Sequence, residues 1–182
     1  MQQIYKPIKN MKKYIYSTVM MLAMIMSAVC VTSCGGSDDE PETPVNLGIG
    51  KHKVEISLSG DVNSFVVSYS FVGFTADGNV CPIYDADGND RGLSYTNSVD
   101  DSQWSSVMAY TSSNASYLKV GLAVGSEEAG KTITVTFKGY VNDKLVQTTS
   151  KTVTSSSEYD HWALGFSSND GLEEFTEYLY KD

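Results

Sequence analysis

Imidazole and thiol chemistry is scarce in this chain. It holds two histidines, His52 and His161, and three cysteines, Cys30, Cys34 and Cys81. A cysteine beside a histidine can act as a nucleophile once the imidazole takes the thiol proton. Nothing around Cys81 resembles a nucleophile motif, and beside Pro82 it reads as a small buried apolar residue. His161, between Asp160 and Trp162, has the type a general base needs. No group in the sequence is placed to complete a triad with it, so it reads as a surface residue at a strand end. The carboxylate pairs Glu127-Glu128 and Glu173-Glu174 are sequence neighbours whose side chains diverge. Glycosidic cleavage needs two carboxyls about 5 to 9 Å apart across a cleft. No catalytic residue is assigned, and no enzyme is expected.

Hard oxygen ligands gather at Asp85-Ala86-Asp87-Gly88-Asn89-Asp90. A calcium-binding EF-hand loop wants ligands at positions 1, 3 and 5, glycine at 6 and glutamate at 12. Counted from Asp85, the glycine falls at position 4 and Thr96 at position 12. The run reads as a hairpin turn, and neither a metal nor another cofactor is expected.

Aromatic residues are the stronger lead, at 11% of the chain. Exposed aromatic rings stack on the apolar C–H face of sugars, and amides or carboxylates beside them bond the hydroxyls. Trp162 shares parity with Leu164 and Phe166 and belongs to the core. Trp104 follows Asp100, Asp101 and Gln103 and precedes Ser105 and Ser106, a polar loop. Tyr110 and Tyr140 fall on the outward side of alternating strands. Trp104, Tyr110 and Tyr140 are therefore the ligand-binding candidates.

These side chains must be carried by strands. Val54, Ile56 and Leu58 alternate with polar residues, as do Phe65, Val67, Tyr69 and Phe71. Ala76-Asp77-Gly78-Asn79 recurs as Ala86-Asp87-Gly88-Asn89, two tight turns that bracket one short strand from Val80 to Tyr84. Pro82 makes that strand an edge. A short strand at Leu93 and Tyr95, a loop over 97–104, and strands at 107–111, 118–124, 132–141, 144–154 and 159–166 follow. Asp170 and Glu173 have the spacing of a capping box, and Leu172, Phe175, Tyr178 and Leu179 share a helical face, so a short C-terminal helix is predicted. The fold class is all-β: a single antiparallel β-sandwich over 49–182, with a small calycin-like barrel as the alternative. The stretch from Tyr117 to Val153 resembles the closing strands of immunoglobulin-like domains.

The first 34 residues read as an address. Lys6, Lys9, Lys12 and Lys13 precede an apolar stretch from about Tyr14 to Val31, the order of a secretory signal. Met11-Lys12-Lys13 would open a shorter version of it. Val31-Thr32-Ser33-Cys34 resembles the bacterial lipobox, and Gly35-Gly36-Ser37-Asp38-Asp39-Glu40 resembles the acidic export tag of Bacteroidetes surface lipoproteins. The resemblance implies a signal peptide over 1–33, acylation of Cys34, and an outer-membrane lipid anchor with the domain facing the cell exterior. Residues 34–48 would be the lipidated cysteine and an acidic, Pro-containing tether. Cys81 would then be the one remaining thiol, which excludes an intrachain disulfide.

Charge narrows the partners. The whole chain carries −9; the four early lysines leave with the signal and no acid does, so the mature chain holds nine cations against 22 acids, a net of −13. Such a chain is repelled by phosphate backbones, and nucleic acid is excluded as a partner. The expectation is a lipid-anchored, non-catalytic surface binding module, with polysaccharide as the leading ligand. The alternative is a structural or protein-interaction lipoprotein: an adhesion component, an accessory subunit or an immunity-type partner of a surface protein.

Overall fold

The computed structural model describes residues 48–99 and 106–178. The signal segment, Cys34, most of the tether and Trp104 lie outside the described residues. Among the described residues eleven strands follow one another: β1 (His52–Gly60), β2 (Phe65–Thr75), β3 (Val80–Cys81), β4 (Ile83–Asp85), β5 (Tyr95–Val99), β6 (Ser106–Thr111), β7 (Ala115–Ser126), β8 (Thr132–Val141), β9 (Lys144–Thr154), β10 (His161–Ser167) and β11 (Gly171–Tyr178). One 3-10 turn, Val62–Ser64, links β1 to β2. No helix among the described residues is long and apolar enough to cross a membrane.

The strands make two antiparallel sheets. One runs β4-β6-β1-β8-β9; the other runs β11-β10-β7-β2-β3, with β5 also paired to β2. They pack as a sandwich and do not close into a barrel, which sets the calycin-like alternative aside. Period-two alternation explains the layers: β8 buries Ile133, Val135 and Phe137 and turns Thr132, Thr134 and Thr136 outward. Those threonines pair with Thr154, Thr152 and Ser150 of β9 through hydroxyl bonds of 2.8–2.9 Å. The core joins Val54 and Ile56 of β1 and Phe137 of β8 to Val67 and Phe71 of β2, Leu122 of β7 and Trp162 and Phe166 of β10. Phe137 and Phe166 stack at 5.1 Å. Trp162 and Cys81 are buried as expected. The long edge strand β9 is blunted from within: Lys151 lies opposite the buried Val135 and faces the core side.

Three expectations are corrected. The segment proposed as a C-terminal helix is strand β11, paired along its length with β10. Gly171, at φ +79°, turns the chain back, and Ser167 Oγ donates to the Asp170 carboxylate, so Asp170 belongs to a hairpin turn. Eight residues are too few to hold a helix alone, whereas β10 offers a full row of unpaired backbone groups. The strand expected at Val80–Tyr84 is two strands, divided at Pro82 and assigned to different sheets; both halves are edges, as the proline requires. Leu93 lies outside β5 and is exposed, while Asn97, Ser98 and Val99, expected in a loop, complete β5. The paired Asp-Gly turns are present, with Gly78 and Gly88 at φ +76° and +85°.

Candidate functional site

The outward face of the five-stranded sheet carries a row of tyrosines. Antiparallel register sets Tyr84 of β4 opposite Tyr110 of β6, Tyr110 opposite Lys53 of β1, Lys53 opposite Tyr140 of β8, and Tyr140 opposite Leu145 of β9. Each of the first four residues lies between two buried neighbours on its own strand, so all four point away from the core. The structure thus brings together two of the residues proposed from sequence, Tyr110 and Tyr140. Trp104 lies outside the described residues; β6 starts at Ser106, opposite Ser57 and four residues along β1 from the row.

The rings are held firmly. Tyr84 and Tyr110 stack at 5.4 Å with planes 22° apart. Coplanar rings could not approach so closely, so the pair packs partly face to face instead of lying flat side by side on the sheet. Lys51 Nζ sits 4.6 Å from the Tyr110 centroid and Lys53 Nζ 3.8 Å from that of Tyr140. Tyr140 Oη donates to Glu55 Oε2 at 2.9 Å, and Lys53 Nζ pairs with Glu55 Oε1 at 3.1 Å. Partial burial, then the Glu55 carboxylate, raises the Tyr140 pKa, which keeps its proton on. The bare aromatic face expected from sequence is replaced by stacked rings, phenols and a lysine–glutamate pair.

Sequence reasoning missed Tyr84 and Lys53. Alternation with buried Ile83 marks Tyr84 as outward, but nothing in the sequence says that β4 pairs with β6.

The remaining chemistry-bearing groups are placed differently. Cys81 is buried on β3, and burial raises its thiol pKa, the opposite of an activated nucleophile. His161 begins β10 and its Nδ1 lies 2.9 Å from the Tyr159 carbonyl, which it can only approach as a donor. Glu127 and Glu128 are exposed in a turn. Asp85 is saturated by its own loop: it accepts from the Asp87 and Asn89 backbones, the Asn89 side chain and Arg91 Nε. The Asn89 side chain above all, then its backbone and Arg91, lower the Asp85 pKa to about 2 despite desolvation.

His52 has an arrangement the sequence could not show. It is fully buried, and its Nδ1 lies 2.9 Å from Ser168 Oγ, which also accepts the Leu118 N–H. Its Nε2 is buried without a hydrogen-bond partner. A buried serine cannot meet a substrate, so this pair ties β1 to the β10–β11 turn and to β7. Burial lowers the His52 pKa from 6.5. The folded state then binds fewer protons than the unfolded one just below pH 6.5, so stability falls as pH drops through that range. Denaturant titrations at pH 8 and pH 5 should show this loss, and His52→Gln should reduce it; an unchanged pH slope in the variant would refute the assignment.

No protein-family profile and no curated protein matches the chain. Solved structures do. A crystal structure of a domain of unknown function, DUF4425, from Bacteroides vulgatus shares 30% identity over 65% of this chain and 94% of that one, at a TM-score of 0.58. The chain belongs to the DUF4425 family. A DUF4425 protein from Bacteroides ovatus has the same fold at 22% identity, with a TM-score of 0.61 over 68% of this chain and 98% of that one. An NMR structure of the calcium-bound form of a protein from Parabacteroides distasonis aligns at a TM-score of 0.49 and 22% identity, over 68% and 92%. Among the described residues of this DUF4425 chain no group of three or more His, Cys, Asp or Glu side chains could hold a metal ion.

Proposed function

We propose that this DUF4425 chain is a non-catalytic binding module, anchored at the outer-membrane surface through acylated Cys34, that takes polysaccharide on the Tyr84–Tyr110–Lys53–Tyr140 row. The lipobox and the acidic tag support the anchor and the outward location. The similarity of Tyr117–Val153 to immunoglobulin-like closing strands fits such a module. The observation that carries the binding reading is the alignment of three tyrosines and one lysine across four adjacent strands, on a face that the core does not need. The phenols offer hydroxyl groups along the row, and the Lys53–Glu55 pair beside Tyr140 sets donor and acceptor within reach of neighbouring sugar hydroxyls.

The test is a polysaccharide panel against residues 48–182 without lipid, with Tyr110→Ala, Tyr140→Ala and Trp104→Ala as paired variants. Binding by the parent should fall about tenfold or more in the Tyr110 and Tyr140 variants, the loss of roughly 1.4 kcal/mol or more, while the melting curve holds. Retained binding in folded variants would sink the row as the site. A second reading, a protein partner on the same face, draws on Leu145, which closes the row at 49% exposure. Absence of any glycan binding would favour it, and a crosslinker placed at Tyr140 would then trap the partner.

A further inference from the structure

Arg91 is the sole arginine in the sequence, and the fold fixes it at the side of the sandwich where the edges of the two sheets meet. Its Nε donates to Asp85 Oδ2 at 2.8 Å, and Nη2 pairs with the same oxygen. Its Cζ lies 5.0 Å from the centroid of the Tyr95 ring. Asp85 faces inward on edge strand β4 of one sheet, and Tyr95 lies on β5 of the other. Arg91 therefore spans the gap, gripped on one side by a carboxylate and on the other by an aromatic ring.

That grip leaves donors over. The Asp85 carboxylate is saturated, so it cannot draw in the rest of the guanidinium. Among the described residues Nη1 has no hydrogen-bond partner, and the side chain is 43% exposed. Nearby, Tyr69 Oη donates to Tyr95 Oη at 3.1 Å. The Tyr95 oxygen is thereby an acceptor for Tyr69, and its own proton remains to be given. A rigid guanidinium with open N–H groups beside a phenol with a spare proton matches a planar oxyanion, since arginine binds carboxylate through parallel bonds and loses little freedom when already held.

We propose that Arg91 and Tyr95 form a carboxylate-binding site, occupied by the hexuronate units of an acidic polysaccharide. The choice of polymer rests on the glycan reading above; the site itself does not. Tyr84, the outer end of the tyrosine row, and Asp85, which holds Arg91, are consecutive residues on opposite faces of β4. A polymer lying on the row can continue round this three-residue edge and reach Arg91. The chain's formal charge of −9 opposes any polyanion, so selection of an acidic glycan over a neutral one falls to the local donors of Arg91 and Tyr95.

The experiment titrates the full-length chain in detergent with polygalacturonate, a neutral polysaccharide of similar length, and poly-glutamate. Arg91→Lys keeps the charge and removes the fork; Tyr95→Phe keeps the ring and removes the hydroxyl. Both spare Asp85 an unpaired burial, and melting curves check that each folds. The expected result is that polygalacturonate binds more tightly than the neutral polymer, and that each variant loses about tenfold for polygalacturonate and nothing for the neutral chain. Equal binding of the two polysaccharides, unchanged polygalacturonate binding in the variants, or capture of poly-glutamate alone overturns the proposal. Neutral-polymer binding that depends on Tyr110 reports separately on the tyrosine row, so the two readings fail independently.

Discussion

Phe137→Ala is expected to lower the unfolding free energy by about 3–5 kcal/mol, the range for removing a buried aromatic ring. Phe137 is fully buried on β8 and stacks on Phe166 of β10, with planes 9° apart at 5.1 Å. The pair joins the two sheets, so its loss removes both apolar burial and a ring contact that no strand shift can restore. Phe137→Leu keeps most of the volume and should cost less than about 1.5 kcal/mol. Urea titration of both variants checks the order. A small loss for alanine would mean that the sheets close over the space, and that the core is looser than the stack implies.

Asp160→Ala comes next, at about 3 kcal/mol, because a buried carboxylate with several donors contributes more than a neutral bond. Asp160 is fully buried and accepts four bonds: from the Ser156 and Ser157 backbones at 2.6 and 3.0 Å, and from their hydroxyls at 2.6 and 2.7 Å. Its own carbonyl accepts the Ser126 N–H, so one residue locks the β9–β10 loop onto β7. Desolvation pushes its pKa up, but the serine bonds outweigh it and leave the carboxyl below its ordinary 3.8. The sign follows directly. A depressed carboxyl contributes in full above the unfolded value and loses that contribution as pH falls through the folded one. Wild type should therefore weaken below pH 4 more steeply than Asp160→Asn, which has no charge to lose there. Parallel acid titrations of the two proteins, followed by far-ultraviolet circular dichroism, make the comparison; equal slopes would rule the carboxylate out as the source.

Much of the sandwich was legible because alternation is local. The buried set of β8 is written in Ile133, Val135 and Phe137, and Pro82 carried its edge preference whichever sheet its neighbours joined. What sequence could not carry is strand order. Val80–Tyr84 looks continuous, yet Cys81 pairs with Gly73 and Ile83 with Thr111, in different sheets. The C-terminal segment misled for a related reason. Leu172, Phe175 and Tyr178 satisfy a helical spacing, but β10 supplied backbone partners that local propensity cannot foresee. The candidate site divides the same way. Tyr110 and Tyr140 were readable as outward residues, whereas their common neighbour Lys53 depends on β1 lying between β6 and β8. His52 and Ser168 stand 116 residues apart, and only the closed sandwich makes them partners.

Lys151 bears on how such domains behave when packed together. Where two copies meet side by side, an eleven-residue edge would be a natural seam for zipping neighbours into a fibril. A newcomer on β9 would shut Lys151's cationic amine beneath the added strand, a desolvation that the new backbone bonds must overcome. The same residue that interrupts the core side of β9 thus opposes edge-to-edge pairing between two copies of this domain.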